Sequence, residues 1–185
     1  MPNQGAFVPL AAAYLARYSR VVTREPDLLD LLRVWDGLRG SRRWPARGDI
    51  DPEAFRLHLG ELMLIAVEHD PLRFRYRLIG DLITEAAGYD MTHETFEDQP
   101  DPVFRDFCLR LFTNALAHGE PVSAAGERTI DGQVFGFDSL LLPLSGDGQS
   151  IDQYMAKLVY PRSRNEGRRP EPRVWRSKRE RGTAG

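Results

Sequence analysis

Tight turns join strand-like segments in two separate groups, and this pattern constrains the fold more than any other feature of the sequence. Five segments have the residue pattern of β-strands: residues 61–68, 72–80, 122–130, 134–144 and 151–160. Short turns connect neighbours within each group: His69-Asp70-Pro71, Asp131-Gly132-Gln133 and Ser145-Gly146-Asp147-Gly148. An Asp-Gly turn between extended segments indicates a hairpin. Because such short turns join antiparallel strands, the sequence predicts antiparallel pairing within each group.

Helices are predicted in the segments that precede and separate the two strand groups. Aspartate starts and glycine stops predict helices over residues 27–40, 51–60, 81–88 and 101–119. A further helix is predicted over residues 9–22, where several apolar residues share one side. Helices placed between two groups of antiparallel strands predict the α+β class of fold.

Charge is unevenly distributed along the 185 residues. The net charge is −2, but residues 161–185 contain eight arginines and one lysine against three glutamates. This end also lacks apolar periodicity, which predicts a flexible basic tail behind an acidic body. The single cysteine excludes an intrachain disulfide and any multi-cysteine metal site. We expect a cytoplasmic protein, because the sequence contains neither a leader pattern nor ~18 consecutive apolar residues for a membrane span.

Several motifs resemble those of PAS domains. They are Gly119-Glu120-Pro121-Val122, Glu127-Arg128-x-x-Asp131-Gly132 and Leu142-Pro143-Leu144-x-x-Asp147-Gly148. More narrowly, Trp35, Gly40, residues 42–52 and residues 74–80 are similar to a bacterial family of short, stand-alone PAS-like proteins of largely unknown function. The resemblance implies a PAS fold over residues 27–160, with a five-stranded antiparallel sheet, short helices on one face and an N-terminal flanking helix in residues 1–26. It implies no particular ligand or reaction.

The first predicted hairpin has one wholly apolar face. The predicted cross-strand pairs are Ala66–Phe74, Leu64–Tyr76 and Leu62–Leu78. In the PAS fold that the resemblance implies, this face lies beneath the 101–119 helix. The candidate pocket residues are Leu64, Phe74, Tyr76, Leu78, Phe104, Phe107, Cys108 and Leu111. Two interpretations stay open: a small-molecule pocket with the Tyr76 hydroxyl as its polar contact, or a filled hydrophobic core.

The opposite face of this hairpin is a candidate partner surface. It is predicted to carry Arg73, Arg75 and Arg77 beside Val67, Ile65 and Met63. The methylene groups of arginine can pack along apolar surface while the guanidinium reaches water. This face would therefore suit a flanking helix or a second subunit. PAS domains commonly dimerise through flanking helices. Tyr14 and Tyr18 are the candidate contacts from the 9–22 helix. The alternative is a solvated strand face.

No residue pattern identifies a cofactor, which stays unknown. Flavin-binding PAS photoreceptors carry an asparagine-cysteine-arginine motif before the longest helix, whereas Cys108 lies within that helix. The four histidines show no metal-ligand spacing, so no metal site is predicted. Haem is not expected, because His69 lies in a turn and His118 at the end of the longest helix, while His58 is predicted to be partly in the core and His93 in an irregular region. Phosphate-binding glycine loops and nucleophile elbows are also missing from the sequence. These observations predict a non-catalytic protein.

The leading functional hypothesis is a stand-alone sensory or regulatory module that acts through ligand-dependent or partner-dependent protein contacts. It would work as a homodimer, with a separate signalling protein, or both, because the length leaves no room for an output domain after residue 160. The alternative is a protein that binds nucleic acid or an acidic partner through its basic tail. The candidate tail residues are Arg173, Trp175, Arg176, Lys178 and Arg179.

Overall fold

A five-stranded antiparallel sheet organises the chain. The computed structural model describes residues 20–161 together with Asn165 and Pro170. The strands are β1 (Leu62–His69), β2 (Leu72–Ile79), β3 (Val122–Ile130), β4 (Gln133–Leu144) and β5 (Gln153–Val159). They lie in the order β2-β1-β5-β4-β3, and all neighbouring strands are antiparallel. The α-helices are α1 (Pro26–Arg39), α2 (Asp81–Ala87) and α3 (Pro102–His118). The predicted α+β class is confirmed.

The ends of α3 follow from its capping residues, as predicted. The Asp101 carboxylate accepts hydrogen bonds from the backbone N–H groups of the second and third helical residues, and Gly119 ends the helix in the left-handed conformation. Helix α1 differs slightly from the prediction. It begins at Pro26, a residue that suits the first helical position, so Asp27 lies in the first turn and does not cap the helix.

Two other predicted helices are not α-helical where the structure describes them. Residues 52–58 form successive turns, because backbone N–H groups there bond the carbonyl three residues earlier instead of four. A short 3-10 helix, Leu59–Glu61, then leads into β1. Residues 20–22, at the end of the predicted 9–22 helix, are also not helical. The rest of that segment, residues 9–19, lies outside the described residues.

The Asp-Gly turn of the second hairpin is confirmed. Ile130 pairs with Gln133, so the turn consists of Asp131 and Gly132 alone. Their φ angles of 50° and 74° lie in the left-handed region, which glycine and, to a lesser degree, aspartate tolerate. A two-residue turn of this kind matches the natural twist of the strands that it joins. This dipeptide therefore sets the register of β3 against β4.

The register of the first hairpin differs from the prediction by one residue. The turn holds two residues, Asp70 and Pro71, where three were predicted. The observed pairs include Val67–Phe74 and Ile65–Tyr76. Because side chains alternate along a strand, this shift places Val67 and Ile65 in the core beside Phe74 and Tyr76. The predicted pairs Ala66–Phe74 and Leu64–Tyr76, and the placement of Val67 and Ile65 beside the arginines, are wrong for this reason.

A β-bulge then moves Leu78 away from the core. Arg77 is the extra residue on β2, since Tyr76 pairs with Ile65 whereas Leu78 pairs with Leu64. The extra residue restarts the alternation of the strand. Ile79 therefore takes the inward position, where Met63 is its partner, and Leu78 is 44% exposed. The predicted Leu62–Leu78 pair and the inward placement of Leu78 are wrong.

Both faces of the central strands are covered. Helix α3 packs on one face, called the inner face here, and α1 packs on the other, where the Trp35 indole N–H donates to the Pro143 carbonyl oxygen over 2.9 Å. Residues 140–144 of β4 are all buried. An unbroken apolar run of this kind is typical of a strand that is buried on both faces.

A buried polar cluster connects α1 to the outer face of the sheet. The Lys157 side chain of β5 is 1% exposed, and its Nζ lies 3.0 Å from Glu61 Oε2 and 2.9 Å from His58 Nδ1. Because an ammonium group only donates, His58 Nδ1 accepts, and the other ring nitrogen donates to Asp30 Oδ2 of α1 over 3.3 Å. His58 is therefore neutral in the folded protein. Burial and the Lys157 charge lower its pKa accordingly.

Acidification is expected to destabilise the fold through His58. Because the folded pKa lies below the ordinary value of 6.5, the unfolded chain takes up the proton first. The contribution of His58 to stability is thus complete above pH 6.5 and is lost as the pH falls from there towards the folded pKa. The free energy of unfolding, measured with urea, should fall between about pH 7.5 and about pH 5.5. This fall should be larger in wild type than in His58→Gln. In the control His118→Gln, the free energy of unfolding should fall by as much as in wild type. If it falls by the same amount in His58→Gln, the prediction is contradicted.

Candidate functional site

Aromatic rings fill most of the space between the inner face of the sheet and α3. Phe96 lies at their centre, and its ring centroid is 5.4 Å from that of Phe74, 4.8 Å from Tyr76 and 4.8 Å from Phe112. The Phe112 ring in turn contacts Tyr154 of β5 at 5.4 Å. The Phe74–Phe96 pair is stacked, the Tyr76–Phe96 pair is tilted and the two pairs of Phe112 with Phe96 and Tyr154 are edge-to-face, which are arrangements that aromatic pairs favour.

A cavity of about 50 Å³ lies beside this aromatic cluster. Its apolar walls include Met63, Ile79, Ile83, Ala87, Met91 and Leu158. Its polar lining consists of Tyr76, Tyr89, Gln99 and Arg128. An apolar cavity of ~150 Å³ in a protein core accepts benzene. The present cavity is about a third of that size, so it fits a molecule of only a few non-hydrogen atoms unless the walls move.

The polar side chains of the cavity form one continuous chain of hydrogen bonds. Arg128 Nη2 lies 2.6 Å from the Tyr89 hydroxyl, which lies 3.1 Å from Gln99 Oε1. Gln99 Nε2 donates to the Tyr76 hydroxyl over 2.8 Å. Tyr76 belongs to β2 and Arg128 to β3, which are the two edge strands of the sheet. These hydrogen bonds therefore span the inner face from one edge of the sheet to the other.

Arg128 is a buried cation. The residue is 7% exposed, and its guanidinium carbon lies 4.6 Å from the centre of the Phe104 ring and 5.7 Å from that of Tyr89. It donates a hydrogen bond to the Tyr89 hydroxyl, and the Tyr160 hydroxyl is close enough to interact with its charge. Within residues 20–161 no carboxylate forms a salt bridge with it. The guanidinium is thus held by neutral oxygens and aromatic faces.

Burial controls the chemistry of the cavity. It raises the pKa of the Cys108 thiol to about 12 and moves the pKa of Tyr76 well above its usual value of 10.0. Both groups are therefore protonated at neutral pH, so neither acts there as an anionic nucleophile or base. Among the described residues, no three histidine, cysteine or acidic side chains are grouped to hold a metal ion. No helix in that same part of the chain is both long and apolar enough to cross a membrane.

The structure brings three of the eight predicted pocket residues to the cavity wall. These are Tyr76, Phe104 and Cys108. Phe74 is buried behind the wall, against Phe96 and Phe112. Leu64 and Leu78 pair with each other away from the cavity, because of the register and the bulge described above.

Phe107 and Leu111 of α3 lie elsewhere. Both line a surface groove between α3 and β3. The ring of Phe107 rests against Gly126 of β3, where a Cβ atom would lie 3.2 Å from Phe107 Cζ and 2.6 Å from Phe137 Cζ. The absence of a side chain at Gly126 is what lets these two rings meet at a centroid distance of 5.5 Å. The prediction that Phe107 and Leu111 close the pocket is wrong, because they lie on the side of α3 that faces β3.

Three polar residues of the cavity were missed by sequence reasoning: Tyr89, Gln99 and Arg128. One signal was available for Arg128. It lies two positions before the buried Ile130 in β3, so strand alternation places both side chains on the same face. Tyr89 and Gln99 lie outside the α-helices and strands, where no periodic pattern shows which side chains are buried.

The predicted partner surface is divided by an ion pair. Arg75 donates to both carboxylate oxygens of Glu68, over 2.6 Å and 3.2 Å, and to the His93 carbonyl oxygen over 2.9 Å. The pair lowers the pKa of Glu68. Arg73 and Arg77 are exposed. Tyr14 and Tyr18 lie outside the described residues.

The candidate residues of the basic tail also lie outside the described residues. Pro161, Asn165 and Pro170 are the described residues beyond the predicted domain boundary at 160, and Asn165 contacts the sheet. Asn165 is buried, and its side-chain amide accepts from the Gly136 backbone N–H and donates to the Gly136 carbonyl oxygen, both over 3.0 Å. The chain therefore contacts β4 at least as far as residue 165.

The chain was compared with protein families and with solved structures. A family model described as a PAS domain matches residues 23–158, well over half of the chain. Among solved structures, a light-oxygen-voltage domain from work on a flavin analogue is 12% identical, with a TM-score of 0.48, over 62% of this chain and 86% of that one. The N-terminal domain of a Marinobacter aquaeolei diguanylate cyclase with a PAS/PAC sensor is 11% identical, with a TM-score of 0.42, over 58% of this chain and 100% of that one. The PAS domain of Bordetella pertussis BvgS is 13% identical, with a TM-score of 0.40, over 58% of this chain and 80% of that one.

No curated protein sequence matches the chain. The family model alone, which extends from before α1 to the end of β5, decides the assignment. It confirms the resemblance that was based on the sequence motifs. The chain belongs to the PAS domain family.

Proposed function

We propose that this PAS domain is a non-catalytic sensory module that acts through ligand-dependent or partner-dependent protein contacts. The observation that carries the proposal is the hydrogen-bond chain from Arg128 to Tyr76 along the wall of the cavity. A core that needed only apolar packing would gain nothing from four linked polar side chains. A site that reads the chemistry of a small molecule needs such groups.

The position of the hydrogen-bond chain from Arg128 to Tyr76 supports a route from the cavity to the surface. Its ends lie on the two edge strands, and Gln99 lies between the 3-10 helix Phe96–Asp98 and α3. A molecule that replaced one of these hydrogen bonds would alter the support of both edges. For a signal to follow, the molecule must prefer one of two arrangements of these elements.

The chemical state of the cavity supports a role without catalysis, because Cys108 and Tyr76 are held in their neutral forms. The exposed Arg73 and Arg77 on edge strand β2 support a role for that edge in contact with a partner. We include in the proposal a homodimer, contact with a separate signalling protein and a cytoplasmic location.

Filling the cavity should separate ligand binding from folding. Ala87→Leu adds a branched group at the cavity wall, whereas Leu82→Phe adds bulk at an exposed position of the same helix, α2. Native mass spectrometry of the purified full chain is expected to show a small-molecule adduct in wild type and in Leu82→Phe, and no adduct in Ala87→Leu. Light scattering after size exclusion should show different oligomeric states with and without the adduct.

The proposal would be contradicted by a wild-type chain that has no adduct and whose oligomeric state does not respond to the small-molecule fraction of a cell extract. An adduct that persists in Ala87→Leu would place the ligand outside the cavity. Conversion of an added metabolite into a product would contradict the non-catalytic part.

A further inference from the structure

The buried Arg128 guanidinium lacks a counter-ion in the described part of the chain. A charge that is taken out of water destabilises the folded protein unless an opposite charge or a full set of hydrogen bonds compensates it. The partners of Arg128 are the uncharged hydroxyls of Tyr89 and Tyr160 and the ring faces of Phe104 and Tyr89. Neutral groups of this kind offset only part of the cost. The guanidinium borders the cavity, where a small anion would complete the compensation.

The direction of the hydrogen bonds adds a second donor. Arginine has no acceptor, so Tyr89 must accept from Arg128 and then donates its own hydroxyl hydrogen to Gln99 Oε1. The Gln99 amide nitrogen donates to the Tyr76 oxygen, so the Tyr76 hydroxyl accepts at that bond. Its hydrogen is therefore left to donate, and no nitrogen or oxygen acceptor for it occurs among the hydrogen bonds of the described residues. Tyr76 lines the same cavity as Arg128.

The remaining walls are apolar. Ile79, Ile83 and Leu158 contribute aliphatic surface, and the volume of about 50 Å³ admits only a few non-hydrogen atoms. The cavity therefore offers one positive charge, one hydroxyl donor and a short apolar space. A singly charged carboxylate balances the charge of Arg128 and forms the paired hydrogen bonds that guanidinium groups favour. A phosphate would bring excess negative charge against the apolar walls.

We propose that the cavity binds a short-chain aliphatic monocarboxylate, with its carboxylate on Arg128 and its alkyl group against Ile79, Ile83 and Leu158. The Tyr76 hydroxyl donates to the ligand as a second contact. The inference rests on the proposed sensory function and specifies its ligand class. Binding would couple to the edge strands, because the carboxylate competes with Tyr89 for the guanidinium.

Matched pairs of neutral and charged probes test the inference on the wild-type chain. The probes are sodium acetate, propionate and butyrate, each compared with the corresponding primary amide, at constant ionic strength. Because only the carboxylate compensates the Arg128 charge, we expect at least about tenfold tighter binding for a carboxylate than for its amide. Isothermal titration calorimetry gives the two affinities, and the thermal unfolding midpoint should rise only with the carboxylate.

Two variants assign the charge preference to Arg128. Arg128→Gln should lose the preference for carboxylate over amide, and Arg128→Lys should keep part of it. Arg73→Gln is the control. Because Arg73 is exposed on β2, this substitution should leave both affinities unchanged. If Arg128→Gln fails to fold, the comparison of carboxylate with amide on wild type still decides the question.

Equal binding of amide and carboxylate would overturn the anionic inference and leave the sensory function standing. A carboxylate preference that persists in Arg128→Gln would also overturn it. Absence of binding by either class overturns the inference as well, and if native mass spectrometry then shows no adduct on the wild-type chain, the small-molecule form of the proposed function fails with it.

Discussion

Phe96→Ala is expected to lower the free energy of unfolding by about 3–5 kcal/mol. The Phe96 ring is 1% exposed and contacts the rings of Phe74, Tyr76 and Phe112. Two of these neighbours belong to β2 and the third to α3, so alanine at position 96 would leave a void between two elements that other contacts hold apart. Urea unfolding followed by circular dichroism gives the free energy.

Val103→Ala is the matched control for this experiment. Val103 lies in the first turn of α3 and is 75% exposed, so its change is expected to stay within about 0.5 kcal/mol. A loss below about 1 kcal/mol in Phe96→Ala would show that the neighbouring rings close the space, which contradicts the central role given to Phe96.

The features that depend only on residues close together in the sequence were predicted correctly. The ends of α3 follow from Asp101 and Gly119, and the β3–β4 turn follows from Asp131 and Gly132. Each of these signals acts within one turn of backbone, so a single stretch of sequence contains all the residues that decide the outcome.

The register of the first hairpin was beyond such signals. The sequence His69-Asp70-Pro71 allows a turn of two or three residues, and the choice exchanges the faces of one strand relative to the other. The bulge at Arg77 has no local sequence signature either. Both features are decided by which side chains of β1 and β2 pack against α3, and that depends on residues far along the chain.

The polar part of the cavity was unpredictable for a similar reason. Its hydrogen bonds join residues that are 10, 23 and 39 positions apart. Taken singly, Tyr89, Gln99 and Arg128 have the composition of surface residues, because arginine and glutamine are rarely buried. Their linkage becomes apparent only when the sheet brings β2 and β3 around the same space.

Among the described residues, the buried cations Lys157 and Arg128 are compensated in different ways. Lys157, on the outer face, has the Glu61 carboxylate at 3.0 Å. Arg128, on the inner face, has only neutral partners among the described residues. The lysine site is thus complete within the described residues, whereas the arginine site would gain from an added anion. This contrast is the basis on which the carboxylate site is proposed at Arg128 and not at Lys157.

The structural role of the Lys157 site predicts a large cost for Glu61→Ala, about 2–3 kcal/mol of unfolding free energy. Without the carboxylate, the ammonium would stay buried with only His58 as its acceptor. The Glu61 side chain is 28% exposed, so water recovers part of the loss and the cost falls below the ~3–5 kcal/mol of a fully buried pair. Glu53→Ala is the control, because Glu53 and Arg56 form an exposed pair that is expected to contribute less than about 1 kcal/mol.

A double-mutant cycle distinguishes loss of the pair from loss of packing. Lys157→Met removes the buried charge together with its need for a partner, so it is expected to stay within about 1 kcal/mol of wild type or to be more stable. In the Lys157→Met background, Glu61→Ala should then cost at least about 1 kcal/mol less than it does alone. Urea unfolding of the four proteins measures this coupling. An equal cost of Glu61→Ala in both backgrounds would show that the carboxylate stabilises the fold without acting on Lys157, because the coupling between the two side chains would then be zero.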